Sequence, residues 1–264
     1  VFPAFTRPVR IVVVVVALAV LAACGGGGSG SAGAIPAPPQ SLGITFDQTV
    51  PAAIRNLPLT MANGKTTTLA AYQGRPVMIS DFLTLCTDIC PMISANSAAI
   101  ARALAANGLS DKTAVLEISV DPHRDTAARL RAYQKLYGGA LPNWTLLRAS
   151  PANTAKLWKF FGVEYRRTKE DKPASIDWLT HKPLTYDVEH SDDLIFLGAN
   201  GDERFVVNGG PDTQGKLPPS RLVQFLDGEG IKNLYHPNTV EDWTVDQGLQ
   251  VFSWLTNRHL TDPT

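Results

Sequence analysis

The stretch PVMISDFLTLCTDICPMIS, residues 76–94, decides the architecture. Residues 76–83 read as a buried strand. After Cys90, Pro91 suits the first position of a helix. That helix should run to Asn107-Gly108, with Ile93, Ile100 and Leu104 on one face. Cys86 and Cys90 therefore sit where a central strand hands over to a helix. In open α/β sheets chemistry collects at the carboxyl ends of strands. Helix N-terminal amides favour a thiolate there.

The same reading extends in both directions. Upstream, Asn63-Gly64 lies between two alternating runs and predicts a hairpin. Downstream, residues 113–120 predict a second buried strand, ended by Asp121-Pro122. A helix opens at Asp125 or Thr126 and reaches Tyr137. Residues 144–147 form a short strand, and Ser150-Pro151 caps a helix that stops at Gly162. Residues 164–185 are polar and read as a surface loop. Residues 194–198 and 203–207 form a hairpin about Asn200-Gly201. Residues 208–238 are a Gly/Pro-rich insertion with an apolar island, Leu222 to Leu226. That island should fold back on the domain, although it could meet a partner. A last helix is expected from about Val240 to Leu255, with Val240, Trp243, Leu249 and Phe252 in the core. This order predicts an α/β fold: a thioredoxin-like mixed sheet with helices on both faces and an N-terminal hairpin.

The chain has 264 residues, 44% of them hydrophobic, enough for one packed domain. Basic and acidic residues balance at 24 each, so no charge surplus points to nucleic acid. Residues 1–23 resemble a secretory signal. Arg7 and Arg10 precede the apolar run 11–23, which at 13 residues is short of the roughly 20 that span a bilayer. The run ends in Leu21-Ala22-Ala23-Cys24, which resembles a bacterial lipobox, with Cys24 as the lipidated residue. Residues 24–42 follow as lipidated cysteine and tether, with a reach of roughly 25 Å. The domain is expected over 43–264. The expected location is thus the extracytoplasmic face of a bacterial membrane, held by a lipid anchor.

If Cys24 carries lipid, Cys86 and Cys90 are the only thiols left. A structural staple over so short a loop would add little. A redox pair more often has C-x-x-C spacing. The C-x-x-x-C spacing here widens the bite and suits two thiolates on one metal ion. A third ligand should be a histidine. His123, His181, His236 and His259 fall on predicted turns, loops and ends. His190 stands just before the strand at 194–198, beside the expected mouth of the first strand. Two sulfurs and one imidazole suit Cu(I) and can hold Cu(II). Zinc is the competing metal, with Asp88 or water as a fourth ligand. A metal-free thiol–disulfide oxidoreductase would use the same cysteines. No proline lies between Leu184 and Leu197 to face them, which weighs against that rival.

Three blocks carry a resemblance to the Sco/SenC family of thioredoxin-like copper proteins. In DFLTLCTDICP, 81–91, Thr84, Cys86, Asp88, Cys90 and Pro91 match a motif T-x-C-P-D-x-C-P. ISVDPHRDT, 118–126, is similar to I-S-V-D-P-x-R-D-T. YDVEHSDDLIFLGANG, 186–201, is similar to Y-x-V-D-H before a strand. The resemblance implies copper bound by Cys86, Cys90 and His190, with Asp88 and Glu189 supporting from behind. It implies delivery to the binuclear copper centre of cytochrome c oxidase subunit II, or to another extracytoplasmic copper protein. As the alternative, it implies a thiol reductase role served by a thiol reductant protein. Thr87 in place of the motif's proline, Glu189 in place of Asp, and the long insertion depart from the pattern.

Overall fold

The structure, a computed structural model, describes residues 33–216, 218–238 and 242–263. The signal segment 1–23, Cys24, the first part of the tether and Val240 lie outside the described residues.

Among the described residues, ten strands and seven α-helices follow one another along the chain. They are β1 (Ile44–Gln48), α1 (Ala52–Arg55), β2 (Leu59–Met61), β3 (Thr66–Thr67), β4 (Val77–Phe82) and α2 (Cys90–Ala106). Next come β5 (Ala114–Ser119), α3 (Ala127–Leu136), β6 (Trp144–Arg148), α4 (Pro151–Phe161) and β7 (Tyr165–Thr168). The chain closes with β8 (Asp187–His190), β9 (Asp193–Leu197), β10 (Glu203–Asn208), α5 (Ser220–Val223), α6 (Gly228–Tyr235) and α7 (Val245–Thr256).

The main sheet has the order β1-β10-β9-β4-β5-β6-β2-β3. β4, β5 and β6 run parallel, and the flanking pairs are antiparallel. β4 and β5 are buried at every position, as central strands covered on both faces must be. Right-handed crossovers from β4 to β5 to β6 put α2 and α3 on one face. A bond between Ser94 of α2 and Tyr133 of α3 joins them, and α7 packs on α2. Successive residues of β10 identify the other face. Phe205 meets Trp254 of α7, whereas Val206 lines a cleft with Phe161 of α4. Helices thus cover both faces of a thioredoxin-like mixed sheet.

Local chemistry explains the element ends. Thr126 and Ser150 accept from the N–H groups of Arg129 and Asn153 at the starts of α3 and α4. Gly162 ends α4 at φ 78°, a left-handed turn that glycine enters without steric cost. Three expectations need correction. The last helix starts at Val245, because Thr244 and Gln247 form a capping box there. The hairpin β2–β3 is not the first element: β1 precedes it and pairs with β10 at the opposite edge. Residues 164–185 are not simply a surface loop. β7 opens the segment and pairs with β8, and Trp178 within it is 4% exposed.

Candidate metal centre

β4 ends at Phe82, and the chain then turns through Leu83–Ile89 before α2 begins at Cys90. Two bonds fold the sulfurs inward. The Cys90 N–H donates to Cys86 Sγ at 3.3 Å, and the Leu83 N–H donates to Cys90 Sγ at 3.5 Å. Neither cysteine is in a disulfide; Cys90 is fully buried and Cys86 half-buried.

His190 arrives on the ribbon β7–β8, where it pairs with Tyr165. Val188 and His190 alternate with Asp187 and Glu189, so the imidazole turns inward while Glu189 turns out. The His190 side chain is 4% exposed and its Nε2 lies 3.3 Å from Cys90 Sγ. The ligand atoms of Cys86, Cys90 and His190 all lie within 4.8 Å of one another. A trigonal ion with bonds of about 2.3 Å to sulfur and 2.0 Å to nitrogen needs separations of about 4 Å. The donor set therefore fits one ion with little movement.

Asp81 fixes which nitrogen faces the sulfurs. Its Oδ2 lies 2.6 Å from His190 Nδ1, and Ser191 O lies 2.8 Å from the same atom. Both are acceptors, so Nδ1 carries the proton and Nε2 is turned to the site. Asp81 is wholly buried in β4, and its other oxygen accepts from the Asp193 N–H. The sequence reading missed this residue. Its signal was a lone acid in the apolar run PVMISDFL.

The ionisation states follow. The Cys90 thiol holds Cys86 well below the ordinary thiol range, and His190 acts the same way against burial. Burial keeps Cys90 well above that range, and the Cys86 sulfur adds to it. Burial works to lower the His190 pKa, but Asp81 and the Cys86 thiolate hold it well above the usual value. These shifts favour the thiolate at Cys86, the thiol at Cys90 and the protonated ring at His190.

The motif at 118–126 braces the segments that carry Cys86 and His190. Asp125 accepts from Thr84 N–H, Thr84 Oγ1 and Ser119 Oγ, pinning the loop two residues before Cys86. Arg124 pairs with Asp121 and donates to Tyr186 O at 2.6 Å, pinning the entry to β8. The guanidinium groups of Arg124 and Arg167 each stand 3.8 Å from the Tyr186 ring centre.

Not every expected site residue joins the cluster. Glu189 does not support it: the side chain is 52% exposed and pairs with Arg166 across β7–β8. Asp81 takes the supporting place instead. Asp88 lies outside the three-ligand cluster, and its Oδ1 accepts from Asn233 Nδ2 at 2.7 Å. His123, His181, His236 and His259 are all exposed. An open cleft of about 740 Å³ runs past His190 between α4 and the ribbon, lined also by Lys159, Tyr165 and Arg166.

No curated protein matches the chain. Among solved structures, it is similar to Bradyrhizobium japonicum ScoI with copper bound, at 25% identity and TM-score 0.48, over 64% of this chain and 97% of that one. It is similar to Arabidopsis thaliana ScoI with copper bound, at 22% and TM-score 0.47, over 64% and 91%. A SCO1/SenC family lipoprotein from Bacillus anthracis matches at 21% and TM-score 0.50, over 65% and 89%, and supports the fold. The SCO1/SenC family pattern matches residues 49–214, which contain both cysteines, His190 and all three motif blocks. The chain belongs to the SCO1/SenC family.

Proposed function

We propose that this chain is a copper carrier that works outside the cytoplasm. It binds one copper ion through Cys86, Cys90 and His190 and passes it to an acceptor protein. The observation that carries this reading is the convergence of two sulfurs and one imidazole within 4.8 Å, with Nε2 turned towards the sulfurs. Two soft donors and a low coordination number favour copper over zinc, which in structural sites takes four ligands. Asp88, the fourth ligand that the sequence offered for zinc, does not join the cluster. Family membership supports an acceptor in cytochrome c oxidase assembly, and we assign it to the binuclear centre of subunit II. Lipid on Cys24 would hold the domain near that membrane-bound acceptor and raise its local concentration.

A second reading rests on the depressed pKa of Cys86 beside a protonated, buried Cys90. The Cys86 thiolate would attack a target disulfide, and one target sulfur would leave as thiolate. Cys90, losing its proton, would then attack Cys86 Sγ and release the second target sulfur. The target gains two electrons and this chain becomes a disulfide, which a thiol reductant must restore. A disulfide cannot supply two thiolates, so the carrier and reductase states exclude one another.

Copper titration of the full chain separates the two. The wild type should bind one equivalent, and the C86S/C90S and H190A variants should lose most of the affinity. Equal binding by all three would end the carrier reading. Insulin reduction without copper would favour the second.

A further inference from the structure

The insertion folds back directly onto the metal loop. The Asp227 N–H donates to Thr87 O at 2.9 Å, and Thr87 Oγ1 donates to Asp227 Oδ2 at 2.8 Å. The other Asp227 oxygen accepts from the Gly230 N–H and caps α6. One turn on, Asn233 Nδ2 reaches Asp88 Oδ1 at 2.7 Å. Gly230 packs so tightly that a Cβ there would lie 2.4 Å from Thr87 O and 2.9 Å from Asp88 Cα. Thr87 and Asp88 are two of the three residues between the cysteines, so α6 grips the loop that sets the distance between the sulfurs.

We infer that Asp227, Gly230 and Asn233 form a clamp that positions the Cys86–Cys90 loop for metal. Thr87 departs from the proline of the family motif, so the ring that would fix its φ is missing. The two bonds from Asp227 hold the same residue from outside. An unclamped loop would spend part of its time with the sulfurs misdirected, and the apparent affinity falls by the competent fraction. These three are positioning residues: they act through Thr87 and Asp88 and do not touch the ion. The inference rests on the carrier reading for its purpose, but its geometry can be tested without metal.

The test uses the reduced full chain and three variants. Asp227→Ala removes the side-chain bond to the Thr87 hydroxyl and the helix cap, and leaves only the backbone bond to Thr87 O. Asp227→Asn keeps an acceptor for Gly230 N–H and a polar partner for the Thr87 hydroxyl. Gly230→Ala leaves the cap intact and favours the helix, yet drives a methyl into Thr87 O. In metal-free protein, iodoacetamide should alkylate the cysteines about tenfold faster in Asp227→Ala and Gly230→Ala, with Asp227→Asn close to wild type. Cu(I) affinity, measured by competition with bicinchoninate, should fall about tenfold in the first two and recover in Asp227→Asn. Unchanged alkylation in Gly230→Ala, with far-UV circular dichroism showing a folded chain, overturns the clamp. So does unchanged copper affinity in both variants while wild type binds. A wild type that binds no copper sinks the carrier reading instead, and the alkylation ratios still decide the clamp.

Discussion

Replacing Glu117 by Gln should change how stability depends on pH, by an amount the structure sets. Glu117 sits in β5 and is wholly buried. Ser94 Oγ donates to one oxygen at 2.6 Å and Trp144 Nε1 to the other at 2.7 Å. Ser94 also meets Tyr133, whose hydroxyl meets Tyr137, which donates to Pro91 O beside Cys90. The carboxyl thus anchors the start of the helix that begins at Cys90. Burial raises its pKa from 4.5 to about 7, against the lowering effect of its hydrogen bonds. A raised folded pKa means the native state holds the proton more tightly than the unfolded chain. Its contribution is full below pH 4.5 and is lost as pH rises towards 7. Each pH unit in that window is about 1.4 kcal/mol, so the loss between pH 5 and 8 is about 2.5 kcal/mol. Glutamine keeps the shape: its oxygen can accept from Trp144 while its amide donates to Ser94. The difference in unfolding free energy between Glu117→Gln and wild type should therefore shift by about 2.5 kcal/mol in the variant's favour from pH 5 to pH 8. Urea melts at both pH values measure it. Other titrating groups cancel in the difference. A difference that does not move with pH would refute the buried, proton-holding role of Glu117.

Three further outcomes follow from the site. The raised pKa values of Cys90 and His190 favour a proton on each in the metal-free site, and a two-sulfur, one-imidazole complex has lost both. Loading one ion should then release about two protons near neutral pH, read by calorimetry in buffers of different ionisation enthalpy. Release of none would contradict the assigned states. Asp81→Asn should lower the His190 pKa, followed by NMR of the ring C–H groups, because a neutral amide replaces the carboxylate on Nδ1. An unmoved titration would show that Asp81 does not set the imidazole's charge. Ile79→Ala, at a wholly buried position in β4, should cost about 2 to 5 kcal/mol in a urea melt. A loss below 1 kcal/mol would mean that β4 is not the packed centre of the sheet.

Much of this was legible in the sequence where the signal is local. The strand at 76–83, the helix after Cys90, and the Asn63-Gly64 and Asn200-Gly201 turns each carry their own chemistry, and each forms. His190 could be singled out because it stands just before a recognisable strand. What was lost depends on distant partners. β7 and β8 are short and polar, and they exist as strands because they pair with each other across some twenty residues. The alternation of Val188 and His190 with Asp187 and Glu189 did signal which way Glu189 points. Asp81 drew no notice because its partner lies 109 residues away. The grip of Asp227 on Thr87 spans 140 residues, and a Gly/Pro-rich composition gave no hint of it.

The most direct test of the central claim is X-ray absorption at the copper edge of the loaded, reduced full chain. Copper bound by Cys86, Cys90 and His190 predicts two sulfur scatterers and one imidazole nitrogen in the first coordination sphere, with the imidazole signal absent in His190→Ala. A spectrum with fewer than two sulfurs, or one that His190→Ala leaves unchanged, would contradict the site.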